Sequence, residues 1–117
     1  MNIEQFRDYC LTKKGITECF PFDETTLVFK VMGKMFALAG IEPLDFINLK
    51  CDPEKAIKLR EEFEGVTAGY HMNKKLWNSV SVKKDVSDPA ILLLIDDSYN
   101  LIVSSFSKKL KQELEDL

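Results

Sequence analysis

Apolar positions follow two periods along this chain, and each change of period marks an element. Ile3, Phe6, Tyr9 and Cys10 recur at helical spacing behind Asn2 and Gln5, a capping-box pair, which predicts a first helix ending near Gly15. Pro21-Phe22-Asp23-Glu24 then makes a turn. Thr26–Val31 and 34–39 are rich in strand formers on either side of Met32-Gly33, where Gly33 supplies the positive φ of a tight hairpin. A further strand, 45–50, follows the break at Pro43. Asp52-Pro53 is a helix start, with Asp as N-cap and Pro at the first helical position. Ala56, Leu59 and Phe63 form that helix's inward stripe, and Gly65 closes it.

The stretch Gly69–Val80 concentrates unusual side chains: the chain's only Trp, its only His, a Tyr and a Lys pair. Lys and Asn are rarely buried without partners, so the stretch reads as surface: a strand after Val66-Thr67, a polar turn near 72–75, and a return strand 77–82. Val80 and Val82 share one side of the return strand and Trp77, Ser79 and Ser81 the other, which puts Trp77 on the exposed or lightly covered side of the sheet. Asp88-Pro89 repeats the Asp-Pro helix start before a stripe of Leu92, Ile95, Tyr99, Ile102 and Phe106. Ser107 caps a last helix with Leu110, Leu114 and Leu117 inward. The order predicts an α+β fold, an antiparallel sheet packed by helices on one face, with two additional C-terminal helices.

At 117 residues, 45% apolar and 30% charged, the chain suits one globular domain over 1–117. The apolar run 90–95 is far too short to span a membrane, and the first residues lack a signal-peptide pattern, so a cytoplasmic protein is expected. Cys10, Cys19 and Cys51 are odd in number and lack metal-ligand spacing, which predicts free thiols acting as small buried hydrophobes. The net charge of -3 argues against nucleic acid, but its distribution argues the other way: residues 65–84 hold four lysines and no acid. Phosphate binding depends on such a local basic face.

Gly-rich phosphate loops, a Gly-x-Ser-x-Gly elbow and His-containing metal motifs are all missing, so no enzyme, cofactor or metal site is expected. Asp96-Asp97 reads as a solvated helix face, because adjacent helical residues diverge. The 69–80 hairpin admits two readings. Lys74, Lys75 and Asn73 at its tip can meet phosphates while His71 or an aromatic packs beside them. Alternatively Tyr70 and Trp77 anchor the hairpin, and the lysines keep a sheet edge soluble. Lys30 and Lys34 flank a second hairpin, and two basic hairpins from one sheet can grip a groove together.

The chain resembles the MmcQ/YjbR family of small bacterial proteins. The resemblance rests on Phe20-Pro21-Phe22, Leu27-Val28-Phe29-Lys30-Val31, Gly33-Lys34-Met35-Phe36-Ala37 and Asn48-Leu49-Lys50-Cys51-Asp52-Pro53-Glu54. It rests above all on Gly69-Tyr70-His71-Met72-Asn73-Lys74-Lys75 with Trp77-Asn78, followed by Ser98-Tyr99-Asn100-Leu101. It implies the frataxin-like CyaY/YjbR arrangement, a curved antiparallel sheet packed by helices, and a double-wing DNA-binding motif. Ala68 stands where family members often have Pro, and Leu76 where they commonly have a second His.

These readings lead to a non-enzymatic DNA-binding protein with two basic wings. Lys30, Lys34, Lys74, Lys75, Lys83 and Lys84 neutralise phosphates, His71 and Asn73 hydrogen-bond, and Trp77 holds the second wing. The alternative is a protein- or small-ligand-binding module with a cleft around Tyr70, His71 and Trp77. A third reading, docking of a basic protein partner on the acidic helices, follows from the -3 total once the basic segment is set aside.

Overall fold

The structure, a computed structural model, describes every residue except 70 and 71. Its elements run α1 (Ile3–Leu11), β1 (Ile16–Cys19), β2 (Thr26–Val31), β3 (Lys34–Gly40), β4 (Phe46–Lys50), α2 (Pro53–Glu62), β5 (Val66–Ala68), β6 (Trp77–Ser81), α3 (Asp88–Ser104) and α4 (Lys108–Glu115). The strands form one curved antiparallel sheet in the order β1-β2-β3-β4-β6-β5.

Local chemistry sets most boundaries. The Asn2–Gln5 capping box forms at the start of α1, and Asp52 accepts the N–H groups of Glu54 and Lys55 ahead of Pro53. Met32 and Gly33 both adopt positive φ, 49° and 84°, as a two-residue hairpin turn of matching twist requires. Ser87, not Asp88, is the N-cap of α3, because its hydroxyl reaches the N–H of Ala90. The strand β1 has no counterpart in the sequence reading. It is a four-residue edge strand, tied to α1 by the ion pair of Arg7 with Glu18.

The inner face of the sheet and all four helices enclose one core, with Phe6, Phe29, Phe36, Ile47, Ile91 and Ile95 fully buried. Cys10 also lies there, where burial pushes its thiol up to about 12. The stripe of α3 keeps the predicted Ile95, Ile102 and Phe106 buried, but Ile91 and Ser98 take the inward places expected of Leu92 and Tyr99, which are half-buried. Leu117, expected inward, is 66% exposed.

Ser98 has a specific task. Opposite Phe29-Lys30 the strand β3 carries an extra residue, Phe36, so Phe36 and Ala37 both turn inward and the ladder is interrupted. The buried Ser98 hydroxyl donates to Phe36 O at 2.6 Å and accepts the N–H of Lys50 at 2.9 Å, satisfying both backbone groups. Asp96 and Asp97 also do more than face water. Asp96 accepts from Tyr9 and Lys13 of the α1 region, and Asp97 pairs with Lys55 of α2, so each ties α3 to another helix.

Candidate functional site

Alternation assigns one set of strand residues to the helix-free side of the sheet. Val28 of β2, Leu38 of β3 and Trp77 of β6 form a second small core there, covered by Cys19, Met35, Met72 and Leu76 in place of a helix. Trp77 is 8% exposed and serves as part of this floor. Outward strand positions also carry Lys30 and Lys50, with no carboxylate among them.

Antiparallel pairing across all six strands makes β2, β4 and β5 run the same way. The β2–β3 and β5–β6 reversals therefore leave the same end of the sheet. Three inter-strand spacings separate the two hairpin centres, ~14 Å at ~4.8 Å each. Lys34 stands at the first tip and Lys74 and Lys75 at the second, all exposed, with Lys50 ending β4 between them. Among the described residues none of these four, nor Lys30, makes an ion pair.

The second tip is braced from below. Arg60, in the last turn of α2, donates through Nε to Asn78 Oδ1 at 2.7 Å and through its other arm to the carbonyl of Lys74. Asn78 is 2% exposed, a polar residue inside the core held by that guanidinium and, more weakly, by Ala56 O. Asn73 spends its Oδ1 on the N–H of Lys75, and its carbonyl accepts the N–H of Trp77 at 2.9 Å. Gly69 donates to Trp77 O at 2.8 Å, and Cys51 to Leu76 O at 2.8 Å, closing the loop onto β4.

The sequence-predicted residues thus divide. Lys30, Lys34, Lys74, Lys75 and Asn73 lie toward one end of the sheet, and Trp77 supports them. Lys83 and Lys84 follow β6 and lie at the opposite end, where Lys83 pairs with Asp45. Tyr70 and His71 lie outside the described residues, so the cleft expected around them and Trp77 is not described. Sequence reasoning missed Lys50 and Arg60. Lys50 was legible as the outward partner of Phe46 and Asn48; Arg60 was not, because its partners are distant in the chain.

Other chemistry adds little. Among the described residues no group of three His, Cys, Asp or Glu could hold a metal, and no helix is long and apolar enough to cross a membrane.

Comparison with known proteins agrees with this architecture. A family model described as YjbR matches residues 11–101. The Escherichia coli O157:H7 protein YbdF is 40% identical over 92 residues, spanning 78% of this chain and 75% of its own length. YjbR of Escherichia coli K12 is 29% identical over 118 residues and 100% of both chains. A Deinococcus radiodurans crystal structure with a DUF419 domain superposes with a TM-score of 0.90 at 36% identity, covering 97% of this chain and 88% of that one. A Pseudomonas syringae protein superposes with a TM-score of 0.73 at 31% identity over 86% of this chain and 98% of its own. With its family model matched over most of the length and its fold shared by these relatives, the chain belongs to the YjbR family.

Proposed function

We propose that this protein is a non-enzymatic DNA-binding protein that meets duplex phosphates with the lysine-bearing end of its sheet. The observation that carries the reading is the emergence of both hairpin tips at that one end, with Lys34, Lys50, Lys74 and Lys75 free of ion pairs among the described residues. The tip separation of ~14 Å is close to the ~12 Å width of a B-DNA major groove, so each tip can reach one bordering phosphate row. In this reading Arg60, Asn73 and Trp77 hold the second tip in shape. Lys83 and Lys84 stand apart from the contact surface.

So few cations give modest affinity with a steep salt response. Fluorescence anisotropy of a labelled duplex should show saturable binding with a log–log salt slope of roughly -3 to -4, and Lys34→Ala should reduce that slope by about one. Absence of binding at low salt, or binding indifferent to salt, contradicts the proposal.

A further inference from the structure

A groove crosses the helix-free face, running from Gly40 and Phe46 at the end away from the hairpin tips to Met35 and Met72 beside them. One half holds about 590 Å³ between Phe22 and Met72, over a floor that includes Met35 and Leu38. The other half holds about 570 Å³ and continues along Phe46 toward Ala68. Gly40 and Asn48 line both halves, so the two are one groove. Each volume lies within the ~300–1,000 Å³ typical of small-molecule sites.

Gly40 is the first sign that something occupies it. The fold demands glycine elsewhere: φ is positive at Gly15 and Gly33, and an added Cβ would lie 3.0 Å from Asp85 Oδ1 at Gly65 and 2.9 Å from Trp77 Cβ at Gly69. At Gly40 φ is not positive and a Cβ would meet nothing within 4 Å among the described residues. A strand glycine without a backbone or packing reason forfeits stability, and it marks a place where another group comes close. Asn48 is the second sign. Its Oδ1 accepts the hydroxyl of Ser79, while its Nδ2 finds no acceptor among the described residues and remains a donor at the centre of the groove.

The charges narrow the ligand class. Among the described residues no titratable side chain lines the first half. Asp23 adjoins Phe22 and binds Thr26, and Glu42 lines the second half, so an anion would meet carboxylates. We propose that the groove binds an uncharged, flat, apolar molecule that lies over Gly40 and offers a hydrogen-bond acceptor to Asn48 Nδ2. The groove reaches Met35 and Met72 beside the lysine-bearing tips, but its ligand contacts at Gly40 and Asn48 do not depend on DNA binding there.

The test uses prodan, an uncharged naphthyl ketone whose emission shifts blue on leaving water, beside the anionic 8-anilinonaphthalene-1-sulfonate. The wild type should give a saturable blue shift with prodan and no saturation with the sulfonate over the same range. Gly40→Leu fills open space, so circular dichroism and Tm should be retained while prodan binding weakens at least ~tenfold. Asn48→Asp, which exchanges the donor for a charge, should weaken prodan by about tenfold and serves as the independent variant. Failure of the wild type to bind prodan, equal affinity for the sulfonate, or binding that survives both substitutions overturns the proposal.

Discussion

Lys74-Lys75 and Lys83-Lys84 look alike in the chain, one pair on each side of β6, yet the two ends of that strand are built from opposite charges. At the first end a cation does the bracing: Arg60 holds Asn78 and the carbonyl of Lys74, and neither lysine makes an ion pair among the described residues. At the second end an anion does it. Asp85 accepts the N–H groups of Glu64 and Gly65 at 2.8 Å each, and Asp45 pairs with Lys83. The five residues of β6 hold the pairs at least ~13 Å apart, more than the ~8 Å Debye length at physiological salt, so they act independently. The charge of a segment is therefore not the charge of one surface: the four lysines of 65–84 are divided between the two ends of the sheet.

Three substitutions test how each end is built. Arg60→Ala strips the buried Asn78 of its guanidinium partner and should cost about 2 kcal/mol in chemical denaturation, the largest effect of the three. Asp85→Asn should act through pH. The N–H of Gly65 first, then that of Glu64, hold the Asp85 carboxyl below the usual carboxylate range against opposing desolvation. A carboxyl depressed on folding stabilises above its unfolded pKa of about 3.9, and that contribution is lost as pH falls through the folded value. Glu18, depressed chiefly by its hydrogen bond from Arg7, and Asp23, depressed chiefly by the N–H of Thr25, add to the same acid limb. Thermal melts should therefore fall below about pH 4 in the wild type and less steeply in Asp85→Asn. Asp45→Asn breaks only an exposed pair and should shift stability by less than about 0.5 kcal/mol.

Legibility followed the range of the interaction. The capping box at Asn2, the Asp52-Pro53 start and the Met32-Gly33 turn are local devices, and each formed where the residues indicated. The strand β1 escaped because only one of its four residues, Ile16, packs against the main core, and its partners in β2 lie nine to fifteen residues further on. Two positions of the α3 stripe moved by one, Leu92 to Ile91 and Tyr99 to Ser98, because 88–104 is apolar on most sides, which blurs its period, and because Ser98 is buried for the sake of a bulge in β3. Trp77 was placed correctly on the lightly covered face by alternation alone. Grouping Lys83 and Lys84 with Lys74 and Lys75 failed in space: adjacency in sequence was carried by a strand to the far end of the sheet.

The central claim is that the Lys74-Lys75 end, and not the Lys83-Lys84 end, meets DNA. The decisive measurement is anisotropy of one labelled duplex titrated at low salt with Lys74→Glu/Lys75→Glu and with Lys83→Glu/Lys84→Glu, both shown to be folded. The two variants carry the same net charge, so long-range attraction is matched and only position differs. The account predicts that the first loses at least ~tenfold in affinity while the second stays within about threefold of the wild type. Equal losses in both variants, or a larger loss in the second, would contradict it.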